Sequence, residues 1–89
     1  MLNQVALIGT LSGKPILSAN SPDKTPYKIF VKMDNGEEIA IYIWGALADV
    51  ITARYAIGTL LGVKGNLKVY NGELIVVAEK ISFMTAQEG

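Results

Sequence analysis

Isoleucine occupies every second position of Glu38-Ile39-Ala40-Ile41-Tyr42-Ile43, and the run stops at Trp44-Gly45. A segment that alternates in steps of two is a strand, with Ile39, Ile41 and Ile43 on one face and Ala40, Tyr42 and Trp44 on the other. The isoleucine face is core. The opposite face carries two large aromatics near a strand end. That arrangement suits either stacking on a flat group such as a nucleobase or burial in a second apolar face or subunit interface.

The same period recurs along the chain. Leu2 to Leu11 alternates Asn3, Val5, Leu7 and Gly9 against Gln4, Ala6, Ile8 and Thr10, and Gly9 within it marks a bend or bulge. Ser12 to Pro26 is irregular, with Gly13 and three prolines around Ile16-Leu17, a pair that suits a short strand. Tyr27 to Met33 forms the second long strand. Asp34-Asn35-Gly36-Glu37 then offers the Asn-Gly pair favoured in a two-residue type I′ turn into the Trp44 strand. From Gly45 to Tyr55 the period changes: Leu47, Val50, Ile51 and Arg54-Tyr55 share a helical face, and the alanines at 46, 48 and 53 favour helix. After Gly58, Leu60 to Tyr70 returns to strand, with Gly62 and Gly65 permitting the sharp coiling of a small barrel. Asn71-Gly72 makes a second tight turn into the last strand, Glu73 to Phe83.

Three long strands, one helix and a final hairpin is the element order of an all-β OB-fold, a five-stranded Greek-key barrel with one helix between strands 3 and 4. A bare five-strand meander fits the alternation too but leaves the helix unexplained. The domain is expected to span residues 1–84, with 85–89 as a short polar C-terminal tail.

At 89 residues the chain has room for one domain and buries a modest share of its surface, so dense packing or partners must add stability. Its apolar fraction of 51% makes self-association the natural outlet. Without cysteine there is neither a disulfide framework nor a thiolate metal site. The apolar first ten residues lack a basic leader and alternate like a strand, and no run reaches the ~18 apolar residues of a membrane span. The expected setting is the cytoplasm, with no membrane partner. Eight basic and eight acidic residues cancel, which argues against strong nucleic-acid binding, since affinity there comes mainly from neutralised phosphates. Several lysines could nonetheless share a face.

The sequence also resembles the bacterial single-stranded DNA-binding protein (SSB) family. Met1 to Leu11 is similar to that family's opening strand, and Lys14-Pro15 to the proline after its short turn. Ile43-Trp44-Gly45-Ala46-Leu47-Ala48-Asp49 resembles the aromatic-Gly-x-x-Ala-acid segment entering its helix. Ile57-Gly58-Thr59 and Val63-Lys64-Gly65-Asn66-Leu67 resemble its Gly-Ser turn and the strand after it. The resemblance covers Met1 to about Met84. It implies that Trp44 is a strand aromatic on which bases stack, and that first strands pair to give homodimers or homotetramers. It departs from the family in three places. Both long loops are cut to Asn-Gly turns, Glu38 stands near the site of another stacking aromatic, and Gln87-Glu88-Gly89 replaces an acidic recruiting tail, so a short, tail-less member or primosomal relative is expected.

The candidate nucleic-acid-binding residues are therefore Trp44, Tyr42, Phe30 and Tyr70 for stacking and Lys28, Lys32, Lys64 and Lys68 for phosphates. Lys28, Phe30 and Lys32 fall on one strand face, where lysines can meet phosphates on either side of a stacked base. Each aromatic has a structural alternative. Phe30 suits burial, Tyr70 suits cross-strand packing beside a turn, and Tyr55 belongs to the core. Catalysis is not expected: histidine and cysteine are absent, Gly9 to Pro15 lacks the spacing and the Ser/Thr of a phosphate loop, and adjacent Glu37 and Glu38 point apart on a strand. No cofactor is expected. The reading is of a binder of single-stranded DNA, with RNA as an alternative ligand, serving replication, recombination or repair. The rival reading keeps the scaffold as a protein-interaction module for replication or primosome proteins, with weak or no nucleic-acid binding.

Overall fold

Barrel closure depends on one strand changing partners. The computed structural model describes residues 2–84, which form β1 (Val5–Leu11), β2 (Ile16–Leu17), β3 (Tyr27–Lys32), β4 (Glu38–Ile43), α1 (Gly45–Arg54), β5 (Leu60–Tyr70) and β6 (Glu73–Phe83). β1 runs antiparallel to β5 from Val5 to Thr10, then crosses to β3, pairing Thr10 with Lys32 and Leu11 with Val31. At the crossing a β-carbon on Gly9 would lie 2.5 Å from the Lys32 carbonyl oxygen and 2.7 Å from Val31 Cγ1, so only glycine lets the two backbones meet. The sheet order β1-β5-β6-β4-β3 closes through that contact, with short β2 on the outer edge of β3 and a parallel β4–β6 pairing. This is the five-stranded OB barrel with its helix between the long strands β4 and β5. No helix among the described residues is long and apolar enough to cross a membrane.

The isoleucine alternation does what its period requires. Ile41 and Ile43 are fully buried and Ile39 packs against the same core, which also contains Leu11, Ile29, Val31, Ile51 and Leu61. Tyr55 stacks on Phe83 with ring centroids 3.7 Å apart and planes 9° from parallel, which puts Tyr55 on the core as the sequence suggested.

Four local expectations change. β1 begins at Val5 rather than Leu2, since Asn3 uses its side chain instead, accepting from the Leu67 N–H and donating to the Leu67 carbonyl. Met33 leaves β3 for the turn, and α1 ends at Arg54, one residue early. Its buried face is Ala48 and Ile51, flanked by Leu47 and Tyr55, while Val50 is exposed. The Asn35-Gly36 turn is not type I′, because only Gly36 has a positive φ, 88°. The Asn35 carboxamide oxygen accepts the Glu37 N–H, and the Gly36 N–H donates to the Met33 carbonyl, giving a longer loop that ends on a left-handed glycine. Asn71 and Gly72 both have positive φ, 48° and 79°, as a type I′ turn demands.

Lys14 has a structural task that its sequence neighbourhood hides. Its ammonium donates to the Thr52 and Tyr55 carbonyls at 3.4 and 3.3 Å, satisfying the end of α1 where the helix dipole is negative.

Thr25, in the loop before β3, is buried and its hydroxyl has no hydrogen-bond partner. Thr25→Val keeps the shape and removes the unsatisfied group, so it should raise stability by ~1 kcal/mol in urea unfolding. A lower midpoint would mean that the hydroxyl has a partner in solution.

Candidate nucleic-acid interface

Side chains on the outward face of the sheet line up through the strand registers. Lys28 on β3 is opposite Tyr42 on β4, which is opposite Val77 on β6, which is opposite Asn66 on β5. In the neighbouring rows Phe30 is opposite Ala40, Lys32 opposite Glu38, Lys68 opposite Ile75 and Tyr70 opposite Glu73. The registers thus bring Lys28, Phe30, Lys32, Tyr42, Lys68 and Tyr70 onto one outward face. With strands ~4.8 Å apart, β3 and β5 are separated by roughly 14 Å across this face, enough for an extended strand of a few nucleotides.

Phe30 is half-buried, opposite the small Ala40, and the Lys28 ammonium sits 5.4 Å from its ring centroid. A cation beside a stacking ring can neutralise the phosphate of a base bound at that ring. Lys32 and Lys68 are exposed, and Tyr70 is half-buried at the start of the β5–β6 turn. The Glu38 carboxylate accepts from the Ser12 hydroxyl at 2.8 Å, which holds this acid at the rim of the face. The distal β5–β6 hairpin extends from the barrel: its paired Val69 and Leu74 are 69% and 68% exposed. Asn71 at its tip donates to Asn20 of the loop between β2 and β3.

Three sequence-based candidates fall differently. Tyr42 points away from the core as expected but is only 8% exposed, so its ring is already covered within the monomer. Trp44 was placed off the core face by alternation, yet it packs against the core and stays half-buried. The reason is that the strand ends at Ile43 and Trp44 takes the position before α1, where the chain turns over the barrel end; its carbonyl accepts the Ala48 N–H, and its side chain makes no cap. Lys64 is on the outward side of β5 but four residues from Lys68, roughly 13 Å along the strand and past the irregularity at Lys64/Gly65. It neighbours Ala6 and Lys80 instead. Lys80 was not among the candidates, because the β6 bulge that sets its register has no signature in the sequence.

No protein-family model matches the sequence, and no curated protein sequence is similar to it. Solved structures are. The mitochondrial single-stranded DNA-binding protein of S. cerevisiae superposes with a TM-score of 0.73 at 13% identity, covering 100% of both chains. The chain shares the OB-fold of this structure. The SSB domain of a Synechococcus protein matches at 0.65 and 18% identity over 91% of this chain and 94% of that one. A chain of the S. pombe Stn1–Ten1 complex matches at 0.66 and 10% identity, over 96% of this chain and 60% of that one. At these identities the barrel is shared and side chains are not, so what the outward face binds has to be argued from its own residues.

Proposed function

We propose that this chain binds single-stranded nucleic acid, DNA in preference to RNA, with little sequence preference and no catalytic activity. The observation that carries the reading is the Lys28–Phe30–Lys32 row, a half-exposed ring opposite a small residue with one ammonium 5.4 Å from its centroid. Phe30 and Tyr70 supply the π faces and Lys28, Lys32 and Lys68 attract the backbone. Trp44 contributes from the end of β4 through the part of its ring left exposed, and Tyr42 acts as a floor beneath the bound strand. The names of the similar structures, two of them single-stranded DNA-binding proteins or domains, support the same ligand class. A fluorescein-labelled oligothymidine should bind at low salt with a rise in anisotropy. Absence of binding at low salt would remove the proposal.

Self-association belongs to the same reading. From Val5 to Gly9, β1 pairs with β5 on one side only, leaving an open edge beside Ile8, which is 62% exposed. An unpaired edge of this kind recruits another strand. Dimers or tetramers formed there would align weak sites along one nucleic-acid strand and raise avidity without new contacts. Sedimentation equilibrium should show a species above the 9.6 kDa monomer at micromolar concentration; a monomer alone would contradict this part. The interaction-module reading is favoured by a separate observation, the covered ring of Tyr42.

A further inference from the structure

We propose that the outward side of β1, β5 and β6 is a second docking surface, and that its occupant is an extended segment of another protein that carries acidic and aliphatic side chains two residues apart, on one face. Here Lys64 and Lys80 are directly opposite in register, and the next row pairs Gly62 with Ser82 and Ile8. Like charges placed opposite on a sheet repel, and among the described residues no carboxylate comes within ion-pair distance of either. An anion between the two ammoniums relieves that repulsion.

The two lysines and Ser82 line an open groove of about 430 Å³ whose apolar walls are Ala6, Leu7, Ile8, Val63 and Met84. Gly62 forms part of its floor: a β-carbon there would come within 3.3 Å of the Met84 methyl, so the missing side chain makes room for Met84. A flexible thioether over a glycine gives a wall that can adapt to different aliphatic side chains.

The chemistry of the groove selects the class of partner. It has no aromatic ring, so nucleobases would find nothing to stack on, and nucleic acid would keep only the two phosphate contacts. An acidic, aliphatic peptide uses both halves, its carboxylates on Lys64 and Lys80 and its apolar side chains against Ile8 and Met84. The open edge of β1 lies to one side of this face, so a second copy pairing there leaves the groove accessible.

The test uses a fluorescein-labelled peptide of two Glu-Ser-Leu-Ser repeats, which puts glutamate and leucine on one face of an extended chain, followed by anisotropy at low salt. Saturable binding is expected. Lys64→Glu with Lys80→Glu should weaken it about tenfold or more, through loss of complementary charge and gain of repulsion. Met84→Asp should weaken it by a similar factor through the apolar half, and all three changes are at exposed positions that leave the core intact. Oligothymidine affinity, measured on the same variants, should stay within about twofold of wild type for Met84→Asp. No saturable peptide binding, equal binding to the double-glutamate variant, or equal binding of a Lys-Ser-Leu-Ser repeat peptide would each overturn the proposal. A loss of oligothymidine affinity as large as the loss of peptide affinity would overturn it too, assigning the lysines to the nucleic acid. Lysine-dependent peptide binding in a protein that ignores oligothymidine would sustain this surface while removing the nucleic-acid reading.

Discussion

Gly65→Ala should be the most damaging single methyl addition in the barrel, lowering stability by ~3 kcal/mol and the thermal midpoint by roughly 12 to 20 °C. The new β-carbon would overlap the Val77 carbonyl oxygen and come within 3.0 Å of the Val77 carbonyl carbon and 3.2 Å of the Ala78 Cα. All three atoms are backbone in the paired strand, so no side chain can swing aside. The two strands would have to move apart at the register shift beside Gly65, where β6 carries one extra residue. Gly13→Ala is the control: nothing lies within 4 Å and the backbone does not demand glycine, so its midpoint should move by no more than about 2 °C. Equal midpoints for the two variants, read by thermal melting, would mean that β5 and β6 are farther apart than described.

Phe30→Ala should cost ~1 to 3 kcal/mol of oligothymidine affinity at every salt concentration, since stacking does not depend on counterions. The lysines behave differently. Each phosphate neutralised on a single strand adds about 0.7 to the fall of log affinity with log salt, so Lys28, Lys32 and Lys68 together give a slope near −2. Lys32→Ala should flatten that slope by about 0.7, and Lys64→Ala should leave it unchanged. Trp44→Ala should lower the melting temperature first, because the indole packs on the core. A titration series from 50 to 300 mM salt separates these effects. Undiminished affinity in Phe30→Ala would assign the ring to packing and leave the face without its platform.

How much of this was legible in the sequence depended on how local the determinant was. Ile39, Ile41 and Ile43 announced their burial by period alone, and Asn71-Gly72 announced its turn, because both are decided within a few residues. Trp44 was misplaced for the opposite reason: alternation assumes that a strand continues, and the turn into α1 ended it one residue early. The Asn35-Gly36 turn looked like its partner at Asn71-Gly72, but the Glu37 N–H donates to the Asn35 side-chain oxygen and changes its form. Tyr42 shows a further limit. Its side of the strand followed from parity, whereas its low exposure is set by neighbours that parity does not name. Lys64 and Lys80 became a pair only through a register that shifts at a bulge, which no spacing in either strand reveals.

The crossing of β1 at Gly9 also dictates the sequence of events by which the chain acquires its form. β3–β4 and β5–β6 are hairpins whose strands meet across short turns, so each can assemble by itself within microseconds to tens of microseconds. β1 has no such neighbour. It must find β5 over separations of 50 residues at Thr10–Leu60 (60 minus 10) and 60 residues at Val5–Gly65 (65 minus 5). The entropy of closing those long loops is spent before any contact rewards it. Docking of β1 is therefore the late step, and until it occurs the edges of β5 and β3 stand open together. The interval before closure is when a newly made chain is most prone to pair with the wrong strand, its own or a neighbour's.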